Sequence, residues 1–341
     1  KSDLLIKGQN ASNIKKGNSI SEDQLSNEKF DYLITNPPFG VKWEKFGKKV
    51  KEEHEQLGHG GRFGAGLPSV GDGSFLFLMH LMSKMKPEGS RLAIVFNGSP
   101  LFSGSPSKTK NESSIRQWII ENDFLEAVIA LPNQLFYNTG ISTYIWVISN
   151  HKPKNRKGKV QLINGIDFFK KMSKSLGDKR NELSDDHIAE ITKIYGEFKE
   201  GDYSKVFDNK AFGYAKVTVE RPERNAKGQV VTDKKGNAKP DSSLRDTENI
   251  PLLMDVQEYM EKEVLPHVPD AWIDHSKTNV GYEINFTKYF YQYKILRTSF
   301  EETDFSQTVV AMPLTPLLGD SNGDFGVNVM DLVQDVDYIL G

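Results

Sequence analysis

Short apolar runs punctuate the first half of the chain. Residues 30–35, 91–96, 124–131, 142–149 and 159–163 are each too short for a helix and rich in β-branched or aromatic side chains. Runs of that length and kind, bounded by polar segments, read as strands, those over 30–35 and 91–96 as buried ones. Between them, residues 75–85 and 113–122 carry helical spacing, the second with Ile115, Trp118 and Ile119 on one face. Ser74 stands where a cap for the first helix belongs, and Pro87-Glu88-Gly89 where it must stop. Strands alternating with helices predict βαβ units around a largely parallel sheet, an α/β fold.

The pattern changes near residue 151. Residues 151–159 are basic and polar, a solvated connector by composition, with phosphate contact as the other reading. An amphipathic helix is predicted over 185–198, a strand over 216–221, an exposed hairpin or loop over 227–236, a polar linker over 240–249 and a helix over 252–264, stopped by Pro266. This suggests three parts: a catalytic domain over 1–165, a mixed, partly helical region over 166–297, and an atypical tail over 298–341.

Composition narrows the possibilities only a little. The 341 residues carry a net charge of −2, so any nucleic-acid contact has to be local. No apolar run approaches the roughly 20 residues of a membrane span. There is no cysteine, which removes disulfides and thiolate metal sites and fits a cytoplasmic setting. The seven histidines show no metal-binding spacing. The chain begins at Lys1 rather than Met and reads as an internal piece of a longer protein.

The chemistry concentrates in Asn36-Pro37-Pro38-Phe39, directly after the first predicted strand. Neither proline can donate a backbone hydrogen bond, so the strand must end there. Asn36 is thereby held at a strand's carboxyl end, where open α/β sheets place ligands. The Asn36 side-chain oxygen and the Pro37 carbonyl can accept the two protons of a base amine, and Phe39 offers a stacking face. A plain proline turn at a strand end is the alternative.

The chain resembles the N6-adenine DNA methyltransferases, and among them the modification subunits of type I restriction–modification systems. The resemblance rests on four stretches besides the tetrapeptide: Asp3-Leu4-Leu5-Ile6-Lys7-Gly8-Gln9; residues 124–143; Phe212-Gly213-Tyr214 with Thr218-Val219-Glu220-Arg221-Pro222; and residues 280–287. It implies a Rossmann-like methyltransferase sheet, S-adenosylmethionine as methyl donor and adenine in double-stranded DNA as acceptor. It also implies a specificity subunit and a restriction subunit as partners, and no membrane. Phe136 or Tyr137 would form the second wall of the base pocket, and Asn18 would lie near the cofactor. The family's glycine-rich cofactor turn and sugar-binding acid are expected upstream of Asp3, so the sheet is expected to be incomplete at its amino-terminal side. A non-catalytic scaffold that docks the specificity subunit, or a methylase of RNA or of a protein glutamine, are the competing readings.

Two stretches stand apart. The glycine-rich segment 58–73 lacks the Gly-Lys-Ser/Thr of a phosphate loop and reads as a mobile loop near DNA or an irregular connector. In the tail, Asp320, Asn322, Asp324, Asn328 and Asp331 fall at positions 1, 3, 5, 9 and 12 of a twelve-residue loop, a calcium spacing that resembles half a dockerin repeat. Phe325 stands where such loops usually have glycine.

Overall fold

The computed structural model describes residues 1–291. These contain strands β1 (Tyr32–Thr35), β2 (Arg91–Phe96), β3 (Leu125–Leu131), β4 (Thr143–Ser149), β5 (Lys159–Asn164), β6 (Lys170–Leu176), β7 (Lys179–Glu182), β8 (Ser204–Asp208), β9 (Gly213–Glu220), β10 (Asp246–Pro251) and β11 (Trp272–Tyr282). The helices are α1 (Ser2–Ile6), α2 (Gly47–Leu57), α3 (Ser74–Met82), α4 (Ser99–Phe102), α5 (Glu112–Glu121), α6 (Asp185–Glu197), α7 (Val256–Tyr259) and α8 (Phe286–Phe290).

Six strands form the main sheet in the order β1-β2-β4-β3-β5-β8. The α/β class holds, but the sheet is mixed rather than largely parallel. β1 pairs with β2 and β3 with β5 in parallel. β4 runs antiparallel between β2 and β3, and β8 runs antiparallel to β5. The physical reason lies in the connection. A parallel neighbour needs a crossover of a dozen or more residues, usually a helix. The segment 132–142 between β3 and β4 contains no helix, so the chain folds straight back.

The main core lies on one face of this sheet. Phe75, Leu76, Leu78 and Met79 of α3 and Ile115, Ile119 and Ile120 of α5 are buried against Leu92, Ile94 and Phe96 of β2 and Trp146 and Ile148 of β4. Phe75, Phe96 and Trp146 meet edge to face, with centroids 5.6–6.2 Å apart. On the other face, Ile191 of α6 packs with Ala127, Ile129 and Leu131 of β3, Val147 and Ile163. β3, covered on both faces, is buried throughout. The boundaries of α3 differ from the expected ones. Asp72, not Ser74, supplies the capping oxygen, accepting from the Ser74 amide at 3.0 Å and its hydroxyl at 2.6 Å. The helix ends at Met82, three residues early.

Burial corrects two further expectations. β1 was expected to be a buried strand. Only Leu33 is buried, while Tyr32 is 76% and Ile34 86% exposed, because β1 is the sheet's edge. The basic connector 151–159 is exposed at seven of its nine residues, as expected, but two of its cations are not solvated. Lys152 is buried, its Nζ donating to Asp123 Oδ1 at 2.6 Å and to the Lys159 carbonyl at 2.8 Å. Arg156 is also buried; its guanidinium lies over the rings of Tyr195 and Phe198 and 3.5 Å from Glu126. A buried charge survives only when paired and hydrogen-bonded, and partners from distant segments provide that here.

A second sheet, β10-β9-β11, is antiparallel. Part of the expected linker 240–249 is therefore strand β10. The helix expected from 252 begins at Val256, capped by Asp255, and widens to a π-turn at Met260–Val264. Arg116 of α5 ties the sheets together. It is fully buried and donates to the Tyr282 carbonyl and to those of Pro100 (3.1 Å) and Ser103 (3.0 Å). Burial lowers its pKa to about 10. Residues 1–291 form one compact unit, and β8 returns to the main sheet after the expected boundary near 165.

Candidate active site

β1 pairs with β2 only as far as Thr35, opposite Ile94. Beyond it Asn36 is exposed, Pro37 buried, Pro38 exposed and Phe39 half-buried. Pro37 anchors the turn in the protein while Asn36 faces water. Gly40 follows at φ +63°, a left-handed turn open to glycine at no steric cost. The ring of Phe39 meets the ring of Phe136 edge to face, with centroids 6.5 Å apart and an interplanar angle of 87°. The fold thus brings together two aromatic rings that lie 97 positions apart in sequence, one beside Asn36 and the other in the β3–β4 loop.

That loop is held from an unexpected side. Gln134 has φ +56°, and its carbonyl accepts from the amides of Arg180 (3.0 Å) and Asn181 (3.1 Å). The Tyr137 carbonyl accepts from the Asp178 amide at 3.0 Å. Buried Asn181 donates through Nδ2 to the Asn133 carbonyl at 3.0 Å. The β6–β7 hairpin therefore clasps the loop. Its turn contains Gly177 at φ +62°, where a Cβ would lie 2.7 Å from the Tyr137 oxygen. Sequence reasoning missed this hairpin; the Gly177-Asp178 pair was the available signal. Tyr137 is 58% exposed and lies under Lys179, whose Nζ is 5.4 Å from the ring centroid. Of the two candidate wall residues, Phe136 is the one that meets Phe39.

The N-6 DNA methylase family model matches residues 1–221. The chain belongs to this family. It is 30% identical over 235 residues to the type I restriction enzyme MjaIX methylase subunit of Methanocaldococcus jannaschii, covering 68% of this chain and 39% of that protein. It is 29% identical over 210 residues to the HindI methylase subunit of Haemophilus influenzae, covering 61% of this chain and 42% of that one. The chain thus spans about two fifths of the length of these relatives. The solved type I methyltransferase subunit from Streptococcus thermophilus shares the fold at a TM-score of 0.50 and 24% identity, over 61% of this chain and 41% of that one.

The remaining candidate residues fare differently. Asn18 uses its side-chain oxygen on its own turn, accepting from the amides of Ile20 (2.9 Å) and Ser21 (3.2 Å). Among the described residues no strand precedes β1. Asn18 Oδ1, engaged by the Ile20 and Ser21 amides, offers S-adenosylmethionine no free acceptor in this conformation. The glycine-rich segment is a packed connector, with Phe63, Gly64, Ala65 and Gly66 buried. A Cβ on Gly64 would lie 2.3 Å from the Gly58 carbonyl, so the close approach requires glycine. Arg62 in this segment is a hub. It grips Glu53 through Nε (2.9 Å) and Nη2 (2.6 Å), and donates to the carbonyls of Ser19 (3.0 Å) and Ile20 (2.8 Å). Nη1 also lies 3.1 Å from His80 Nδ1, which must accept. Burial, and then the Arg62 charge, push the His80 pKa down to about 4. No cluster of three or more potential metal ligands occurs among the described residues. Asp320, Asn322, Asp324, Asn328 and Asp331 lie outside them. Among the described residues no helix is long and apolar enough to cross a membrane.

Proposed function

We propose that this chain supplies the acceptor side of an adenine-N6 DNA methyltransferase, as part of the modification subunit of a type I restriction–modification complex. The observation that carries this reading is the Phe39–Phe136 pair beside exposed Asn36 at the end of β1. An adenine amine is a weak nucleophile because its lone pair is delocalised into the ring. Asn36 Oδ1 and the Pro37 carbonyl accept its two protons and localise that pair. The gain is positioning and electrostatics. A target base must leave the duplex to reach such a site, and Phe39 and Phe136 receive it there. Tyr137 extends the wall towards Lys179.

The partners in this reading are double-stranded DNA, a specificity subunit that reads the sequence and a restriction subunit. S-adenosylmethionine is the methyl donor in this reading. The test is Asn36→Ala in the full-length protein assembled with its specificity partner, read by transfer of labelled methyl to DNA. Undiminished transfer would sink the assignment. A second reading, a scaffold that docks partners without turnover, is favoured by the self-satisfied Asn18 side chain. Calorimetry of this chain with S-adenosylmethionine separates the two: micromolar binding argues against the scaffold.

A further inference from the structure

The hairpin that clasps the base-pocket loop is strongly basic. Residues 170–182 carry Lys170, Lys171, Lys174, Lys179 and Arg180 against two acids, Asp178 and Glu182. Lys170 pairs with Glu182 at 3.2 Å. Lys171, Lys174, Lys179 and Arg180 form no ion pair with a carboxylate of the described residues. The chain as a whole is slightly acidic, so this is a local concentration of positive charge. Like charges gathered on one ladder repel and do not stabilise it.

Apolar burial does not hold the hairpin either. Six of the seven residues of β6 are exposed, and an isolated two-stranded hairpin is marginal in water. The bonds from Asp178, Arg180 and Asn181 to the loop bearing Phe136 and Tyr137 fix it instead. The cations are thereby tethered to the aromatic wall, with Lys179 already over the Tyr137 ring.

We infer that the β6–β7 hairpin binds the phosphodiester backbone of DNA next to the target nucleotide. The inference rests on the reading of Asn36 as an adenine site. A base stacked on Phe39 and walled by Phe136 has its phosphate one sugar away from that wall. Cations fixed to the wall meet it there, and their contact carries no sequence information.

The test is the K171Q/K174Q/K179Q/R180Q variant of the full-length protein in its complex, measured for DNA affinity across a salt series and for methyl transfer. Each lost phosphate contact should lower the slope of log K against log salt by about 0.9. We expect a fall of at least about 2 in slope and more than tenfold in affinity at low salt, with an unchanged melting temperature. The matched control is K227Q/K234Q/K235Q, which neutralises three exposed lysines in the arm formed by residues 222–240. An unchanged slope in the hairpin variant, or an equal fall in the control, overturns the inference. If the unaltered complex methylates adenine and its slope ignores the hairpin, the hairpin inference alone falls. If its slope depends on the hairpin but it methylates no adenine, the adenine reading falls and the phosphate surface stands.

Discussion

β2 and β1 lie side by side and could hardly be used more differently. β2 has a ladder partner on each side, and its Leu92, Ile94 and Phe96 are buried under α3 and α5. β1 has one partner and one buried residue, Leu33. Beyond Leu33 and Ile34, an apolar groove of about 450 Å³ continues over Ile129, Ile145 and Val147 towards Ile188 of α6. Yet the candidate chemistry hangs from β1. The rigid strand supplies stability, and its neighbour carries a short polar terminus to the margin of the sheet. Binding residues commonly sit on connecting segments that a packed scaffold positions.

The comparison can be broken first at the core. Trp146→Ala removes the central ring of the aromatic triad and should cost about 3–5 kcal/mol in urea-monitored unfolding. A loss under about 1 kcal/mol would show that the triad does not anchor the sheet. Asn36→Ala should do the reverse: a loss of about 10²–10³ in methyl transfer, as for removal of one transition-state hydrogen bond, with stability unchanged within about 0.5 kcal/mol.

His80 gives the pH dependence. Its pKa in the folded protein, about 4, lies below the ordinary histidine value of 6.5. Protonation therefore favours the unfolded chain. The stability from keeping His80 neutral is present above about 6.5 and is lost as pH falls from there towards 4, by up to about 3 kcal/mol. His80→Gln should flatten that part of the stability profile relative to the unaltered chain; identical profiles would remove His80 from the account.

Asn181→Ala should destabilise by about 1–3 kcal/mol, because the Asn133 carbonyl loses its donor. It should also raise the KM for DNA more than it lowers kcat, if the hairpin positions the pocket loop. The smallest effect is expected at Ile34→Ala, under about 0.5 kcal/mol, since the side chain is already in water. A large loss there would mean that β1 is covered in solution.

The interior strands were legible because a doubly covered strand writes a continuous apolar run into the sequence, as β3 does. Strand direction was not legible. An apolar run looks the same read either way, and only the absence of a crossover between β3 and β4 reveals the reversal. The exposure of β1 could not be read locally, because Leu33 and Ile34 differ in surroundings and not in kind. Lys152 and Arg156 looked solvated because Asp123, Glu126 and Tyr195, which accept or cover them, lie in other segments. At the candidate site, the two prolines announced the end of the strand and Asn36's place in the sequence. The hairpin behind the pocket loop was marked only by its Gly177-Asp178 turn, since β6 is polar along nearly its whole length and shows no alternation.

The bare flank of β1 also bears on how the chain behaves in a tube. Four residues offer amides and carbonyls on one side with no strand among the described residues to answer them, and none of Tyr32, Leu33, Ile34 and Thr35 carries a charge. Proteins usually guard such a flank with lysine, proline or a bulge, because any passing strand can zip onto it. Here the adjacent Asp31 is neutralised by Lys86 at 2.7 Å. Concentrated on its own, the chain is expected to self-associate along the same strand that presents Asn36, and light scattering over a concentration series checks it.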